Sequence, residues 1–144
     1  MNTRVKWVEG QRFVGSADTG HSIVIDASDD ATPHGKTGLS PMQLILMGVG
    51  GCSGIDVLHI LQRGRENVTD CVVEVDGTRA DTDPKVFTDL HMTYIVTGKD
   101  LNPTKVERAV ELSAEKYCPA SVMPGQISKI NREIKTNQTD KIKK

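Results

Sequence analysis

Three residues in one short stretch have the types and spacing to do chemistry together. Cys52, Asp56 and His59 stand at i, i+4 and i+7 in "GCSGIDVLHI", so on a helix all three share one face. A thiol, a carboxylate and an imidazole so arranged admit three uses. They can form a redox nucleophile with polar neighbours, donate to a metal such as zinc, or simply pack, with Asp56 and His59 hydrogen-bonded to each other. A second thiol, Cys118 in "EKYCPAS", stands before Pro119. If that proline opens a short helix, Cys118 is its N-cap, where the dipole favours a thiolate; if Cys118 only closes the preceding helix, the dipole acts the other way, and Lys116 adds positive charge in either case. Cys71 in "DCVVEV" has nothing site-like around it and is assigned to packing. Cys52 and Cys118 match neither a CxxC motif nor a zinc knuckle. Their separation therefore leaves open a thiol pair, a metal site that adds Cys118, and two core residues.

The elements that must position these groups follow from periodicity and punctuation. Ser40 as N-cap, Pro41 at the first helical position and Gln43 in a capping box start a helix that carries Cys52. It is expected to run to Arg63 and to end at Gly64, with Arg63 and Arg65 at the negative end of its dipole. Its apolar residues occupy nearly the whole circumference as far as Asp56, which predicts a long central helix buried on several sides. Gly48, Gly50, Gly51 and Gly54 permit the close backbone approach of a tight helix pair or an intertwined dimer. Upstream, "RVKWVEG", "QRFVG" and "HSIVID" predict a three-stranded antiparallel meander, followed by a loop over 27–40. Downstream, strands are expected over 70–80 and 85–98. An amphipathic helix over 101–118 follows, with Val106, Ala109, Val110, Leu112 and Tyr117 on its apolar side. A short turn or helix in "PASVMPGQISKI" and a strand in "KINREIKT" come next, and about 137–144 reads as a frayed tail. The order is βββ-α-ββ-α-β, an α+β domain spanning 1–144.

Bulk properties narrow the function classes. A net charge of −1, 3% aromatic residues and a single Trp argue against a nucleic-acid surface. The opening "MNTRVKWVEGQR" lacks the apolar core of a signal peptide. The apolar run from Met42 to Leu61 approaches membrane-spanning length, but Gln43, Asp56 and His59 interrupt it. It is read as a helix buried by protein, with no membrane partner. Three cysteines, an odd number, without a secretion signal predict free thiols in a reducing compartment, the cytoplasm. His21, His34 and His91 have strand or loop contexts without ligand spacing. A non-catalytic reading also stands: a dimer whose apolar pocket, lined by Met42, Met47 and Met123, holds a small hydrophobic ligand.

"SPMQLILMGVGGCSGIDV" together with "AVELSAEKYCPAS" resembles the two signature segments of the OsmC/Ohr superfamily, and most closely its YhfA-like branch. The resemblance implies an intertwined homodimer with its sites at the subunit interface, and reduction of organic hydroperoxides without a cofactor. It implies that Cys52 is the peroxidatic thiol and that Cys118 resolves its sulfenic acid as a disulfide, which a dithiol such as dihydrolipoamide reduces. It also implies an arginine beside the thiolate, matched here by Arg12 in "EGQRFVG", oriented by a glutamate. This chain has Met42 in place of that glutamate, and a thioether accepts no firm hydrogen bond from a guanidinium. Slower peroxide reduction by a buried thiol is the expectation.

Overall fold

Gly10 and Gly20 take positive φ angles of 51° and 85° at the two N-terminal turns, conformations that cost glycine little. The turns fold β1 (Thr3–Glu9), β2 (Arg12–Ala17) and β3 (Ser22–Asp26) into an antiparallel meander ordered β1-β2-β3. The structure is a computed structural model, described for residues 1–28 and 35–139. The expected loop, 27–40, thus includes six residues, 29–34, outside the described set, and His34 is one of them. By its contacts the chain divides into two compact units, Met1–Ile45 and Leu46–Lys144.

In the first unit the meander is closed at one edge by a parallel bridge between Ile25 and Leu39. Its apolar side chains are poorly covered: Val5, Trp7, Val8, Ile23 and Val24 are all exposed. The capping box forms as expected. The Ser40 N–H donates to Gln43 Oε1 at 2.9 Å and the Gln43 N–H to Ser40 Oγ at 3.3 Å, which fixes the start of α1 (Pro41–Arg63).

The second unit carries the main core. β4 (Asn67–Arg79) pairs antiparallel with β5 (Phe87–Lys99), and β6 (Lys129–Gln138) lies parallel to β5 on its other side. β5 is thus the middle strand, and Leu90, Met92, Tyr94 and Val96 are fully buried. Its alternation slips between Phe87 and Leu90, where the pairing with β4 is irregular at Thr78 and Arg79. Val49, Val57 and Leu61 from α1, together with Leu101, Val106, Ala109 and Val110, join Met92, Tyr94 and Val96 in one cluster. β6 runs through Asn137 and Gln138, where the sequence suggested fraying. The Gln138 amide exchanges hydrogen bonds with the Leu101 backbone and holds this end in place. Residues 140–144, with the basic end of the tail, lie outside the described residues.

Two expectations about helices need correction. Within the chain α1 is buried along one stripe only, Val49, Gly50, Ser53, Val57 and Leu61. Met47 and Ile55 are exposed at 54% and 71%, so the chain alone leaves a second apolar stripe uncovered. Its length and composition would suit a membrane span, and a minority of it is buried. The helix ends at Arg63 with Gly64 next, as expected, and Arg65 rather than a glycine takes the left-handed conformation (φ 59°). The Glu66 N–H then reaches Leu61 O and the Arg65 N–H reaches Gln62 O, a Schellman closure with Arg65 at C′.

The second helix is not one continuous helix. α2 (Pro103–Leu112) passes into a five-residue π-helical turn, Ser113–Tyr117, and then α3 (Pro119–Gly125) begins. The α-helical stripe Val106, Ala109, Val110, Ser113 would next bury Tyr117. The wide turn inserts one residue, the Cys118 N–H bonds Ser113 O at 2.8 Å, and Cys118 takes that place. Cys118 is 1% exposed and Tyr117 49%, which reverses the expectation for Tyr117.

Candidate active site

Cys52 and Asp56 project from one face of α1, and Cys118 reaches the same point as the N-cap residue of α3 (φ −81°, ψ 96°). The Sγ atoms of Cys52 and Cys118 and a carboxylate oxygen of Asp56 all lie within 4.8 Å of one another. All three cysteines are free thiols. The thiol pair read from two distant segments is therefore brought together at one point.

Asp56 is anchored from behind by buried hydroxyls. Tyr94 OH and Ser53 Oγ are 2.6 Å apart, Ser53 Oγ and Ser113 Oγ 2.9 Å, and Ser113 Oγ donates to Asp56 Oδ2 at 3.3 Å. When Ser113 donates to Asp56, a carboxylate that only accepts, the hydroxyls line up with Tyr94 donating to Ser53 and Ser53 to Ser113. Ser53, Tyr94 and Ser113 are at most 1% exposed. Burial pushes the Tyr94 hydroxyl up in pKa, with the Ser53 hydrogen bond and Arg132 opposing it.

Cys52 is half-buried, and that burial is the main reason its thiol is pushed up from the ordinary value. The backbone N–H of Ala120 donates to its sulfur and works the other way, while Cys118 and Asp56 push it further up. The orphan N–H at the start of α3 is thus aimed at Cys52, and Cys118, the N-cap itself, makes no side-chain cap bond. No cation acts on Cys52 among the described residues. Lys116, expected to help a thiolate, lies over the Tyr117 ring at 5.5 Å. Arg12 is occupied within the first unit: its Nη1 holds Glu9 at 2.6 Å and its Nε holds Asp26 at 3.3 Å.

His59 does not join the cluster. It is exposed, and among the described residues no hydrogen bond links it to Asp56. Instead both line a cavity of about 450 Å³ with Ile60, Arg63, Leu112 and Tyr117. Met47 and Met123 are exposed at 54% and 68% and do not line that cavity. Cys71 packs against the core as expected, with its thiol pushed up by burial and by Asp70. His91 sits on the surface, 3.6 Å from Glu133. Ser53, Ser113, Tyr94 and Ala120 are not legible as site residues in the sequence. The available signal is that two serines fall at core positions of apolar helix stripes.

The comparisons with known proteins agree with this geometry. A family model described as OsmC-like protein matches residues 33–132. The chain is 48% identical over 124 residues to protein YhfA of Escherichia coli strain K12, covering 85% of this chain and 88% of that protein. The crystal structure of a hypothetical protein from Aquifex aeolicus VF5 superposes with a TM-score of 0.84. It is 27% identical and covers 96% of this chain and 97% of its own. The organic hydroperoxide resistance protein OhrB of Bacillus subtilis shares the fold, with a TM-score of 0.64 at 23% identity over 94% of this chain and 98% of its own. The family model over most of the chain and the relative at 48% identity agree: the chain belongs to the OsmC/Ohr superfamily, close to its YhfA-like members.

Proposed function

We propose that the protein is a slow, cysteine-based peroxidase of the cytoplasm that reduces organic hydroperoxides through a Cys52–Cys118 disulfide. The carrying observation is the approach of the two sulfurs within 4.8 Å. The Cys52 thiolate attacks the outer peroxide oxygen; the O–O bond breaks, an alcohol leaves with a proton, and Cys52 becomes a sulfenic acid. The Cys118 sulfur then attacks the Cys52 sulfur, water leaves, and a disulfide forms before further oxidation. A dithiol reductant restores both thiols and becomes a disulfide itself. The raised pKa of Cys52 and Met42 in place of a carboxylate argue for slowness, because the thiolate is the attacking species. Asp56 beside the pair, fixed by Ser113, is placed to hold the water or alcohol that departs.

The working form in this reading is a homodimer. Two uncovered surfaces support it: the apolar side chains of the β1–β3 meander and the Met47, Gly48, Gly51, Ile55 stripe of α1. A three-stranded sheet without a covered face is marginal in water, and a second copy would cover both surfaces.

The test is to add an organic hydroperoxide such as cumene hydroperoxide to reduced protein, then map the products by mass spectrometry. The expected product is the Cys52–Cys118 disulfide. Cys118→Ser should progress to the Cys52 sulfinic acid, and Cys52→Ser should consume no peroxide. Peroxide that persists over intact thiols would sink the reading.

A further inference from the structure

The same cluster offers a second chemistry. Two thiols and a carboxylate converge from two elements, Cys52 and Asp56 one turn apart on α1 and Cys118 at the start of α3. Zinc accepts this donor set, with sulfur at about 2.3 Å and oxygen at about 2.0 Å, which sets tetrahedral donor separations of roughly 3.5–3.8 Å. Donors already within 4.8 Å of one another reach that spacing by small rotations about side-chain bonds.

The surroundings are those of a supported site. Ser113 fixes one carboxylate oxygen of Asp56 and is itself held through Ser53 and Tyr94. Metal ligands are commonly oriented in this way. The Ala120 N–H supports the Cys52 sulfur, as amide donors do around metal-bound thiolates. Each thiol gives up its proton on binding, and a cation between the three groups offsets the repulsion among the anions so formed. His59, the imidazole that the helical spacing suggests as a ligand, stays outside the cluster.

We propose that in the reduced protein Cys52, Cys118 and Asp56 form a three-ligand site for a thiophilic divalent cation, zinc foremost, with the fourth position open toward the cavity lined by His59, Arg63 and Tyr117. Two sulfurs and one oxygen favour zinc or cadmium over magnesium or calcium, which prefer oxygen donors alone. The metal-bound state and the disulfide exclude each other. One hydroperoxide and two protons would convert the two metal-bound thiolates to a disulfide, releasing the cation, one alcohol and one water. The inference shares the thiol pair with the peroxidase reading but does not depend on it.

The experiment uses the full chain, reduced and stripped of metal, titrated with zinc alone against a chromophoric chelator and, in parallel, with cadmium. One zinc per chain is expected, and the sulfur-to-cadmium charge-transfer band should have the intensity of two thiolates. Cys118→Ser should halve that band. Asp56→Asn, nearly isosteric, should keep the band and weaken zinc binding by about tenfold or more. No stoichiometric zinc on the wild-type protein, or equal affinity in Asp56→Asn, overturns the proposal. Failure here leaves the peroxidase reading standing if peroxide still yields the disulfide. Stoichiometric zinc on thiols that resist peroxide upholds this site and overturns that reading alone.

Discussion

Adjacent glycines on α1 are predicted to respond to alanine in ways that reveal what covers the helix. Gly51 and Gly48 are exposed, and a methyl added at either meets nothing within 4 Å. If water were the neighbour, Gly51→Ala would gain about 0.8–1 kcal/mol from helix propensity alone. If a second copy packs against the Met47–Ile55 stripe, the same methyl is forced into a close helix contact, at a cost of about 1–3 kcal/mol. The propensity gain is common to the folded single chain and the dimer and cancels in the association, so about 2 kcal/mol of overpacking per chain, about 4 kcal/mol per dimer, weakens the association roughly 1,000-fold. Gly50 is the control. Its added methyl would lie 2.9 Å from Val75 Cγ2 inside the chain, so Gly50→Ala should destabilise the fold at any protein concentration. The assay combines sedimentation over a range of concentrations with urea unfolding midpoints. Gly51→Ala is expected to shift the association equilibrium toward single chains. A concentration-independent stabilisation of about 1 kcal/mol by Gly51→Ala would refute the covered face.

Three further outcomes follow from the hydrogen bonding and charge. Ser53→Ala breaks the buried chain between Tyr94 and Ser113 and should cost about 1–3 kcal/mol in urea unfolding, since Ser113 and Tyr94 each lose a buried partner; an unchanged midpoint would contradict it. Cys52 has a raised pKa, so its alkylation by iodoacetamide should be slow at neutral pH and rise about tenfold per pH unit until that pKa is passed; a rate already flat at pH 7 would show a depressed pKa instead. Asp26, fully buried, is held far below the usual carboxylate range by the Ser28 hydroxyl and by backbone and side-chain hydrogen bonds from Thr37 and Ser28. A depressed folded pKa stabilises above the unfolded value of about 3.9, and that stability is lost as the pH falls below it. Fluorescence of Trp7, the single tryptophan, should report acid unfolding of the meander, and Asp26→Asn should flatten that dependence.

Much of the fold is legible because local signals coincide with it. Ser40, Pro41 and Gln43 announce the start of α1, and the turns at Gly10 and Gly20 set the meander. The two thiols are legible only through resemblance, since nothing local says that residues on different helices meet. What escapes the sequence is tertiary. The apolar circumference of α1 suggests burial on every side, yet the chain by itself covers only the stripe through Gly50, Ser53 and Val57. A periodicity argument cannot tell a side chain covered by its own fold from one left for a second copy. The left-handed Arg65 and the π-helical turn also escape, because local propensity favours a glycine at the one and a regular helix at the other.

The π-helical turn makes the thiol pair a matter of counting. Substitutions within Ser113–Tyr117 that keep its length and its wide turn leave Cys118 facing Cys52. Regular α-helical hydrogen bonding over the same five residues would turn Tyr117 inward and swing Cys118 by about 100° around the helix axis, away from Cys52, without any cysteine being altered. With one residue fewer, an unbroken α-helix would carry the sulfur to the same place. Helix type and chain length in this one turn together carry information that an inventory of residue types does not contain. A relative with both cysteines and a regular helix of the same length would keep the residues of the site and lack the site.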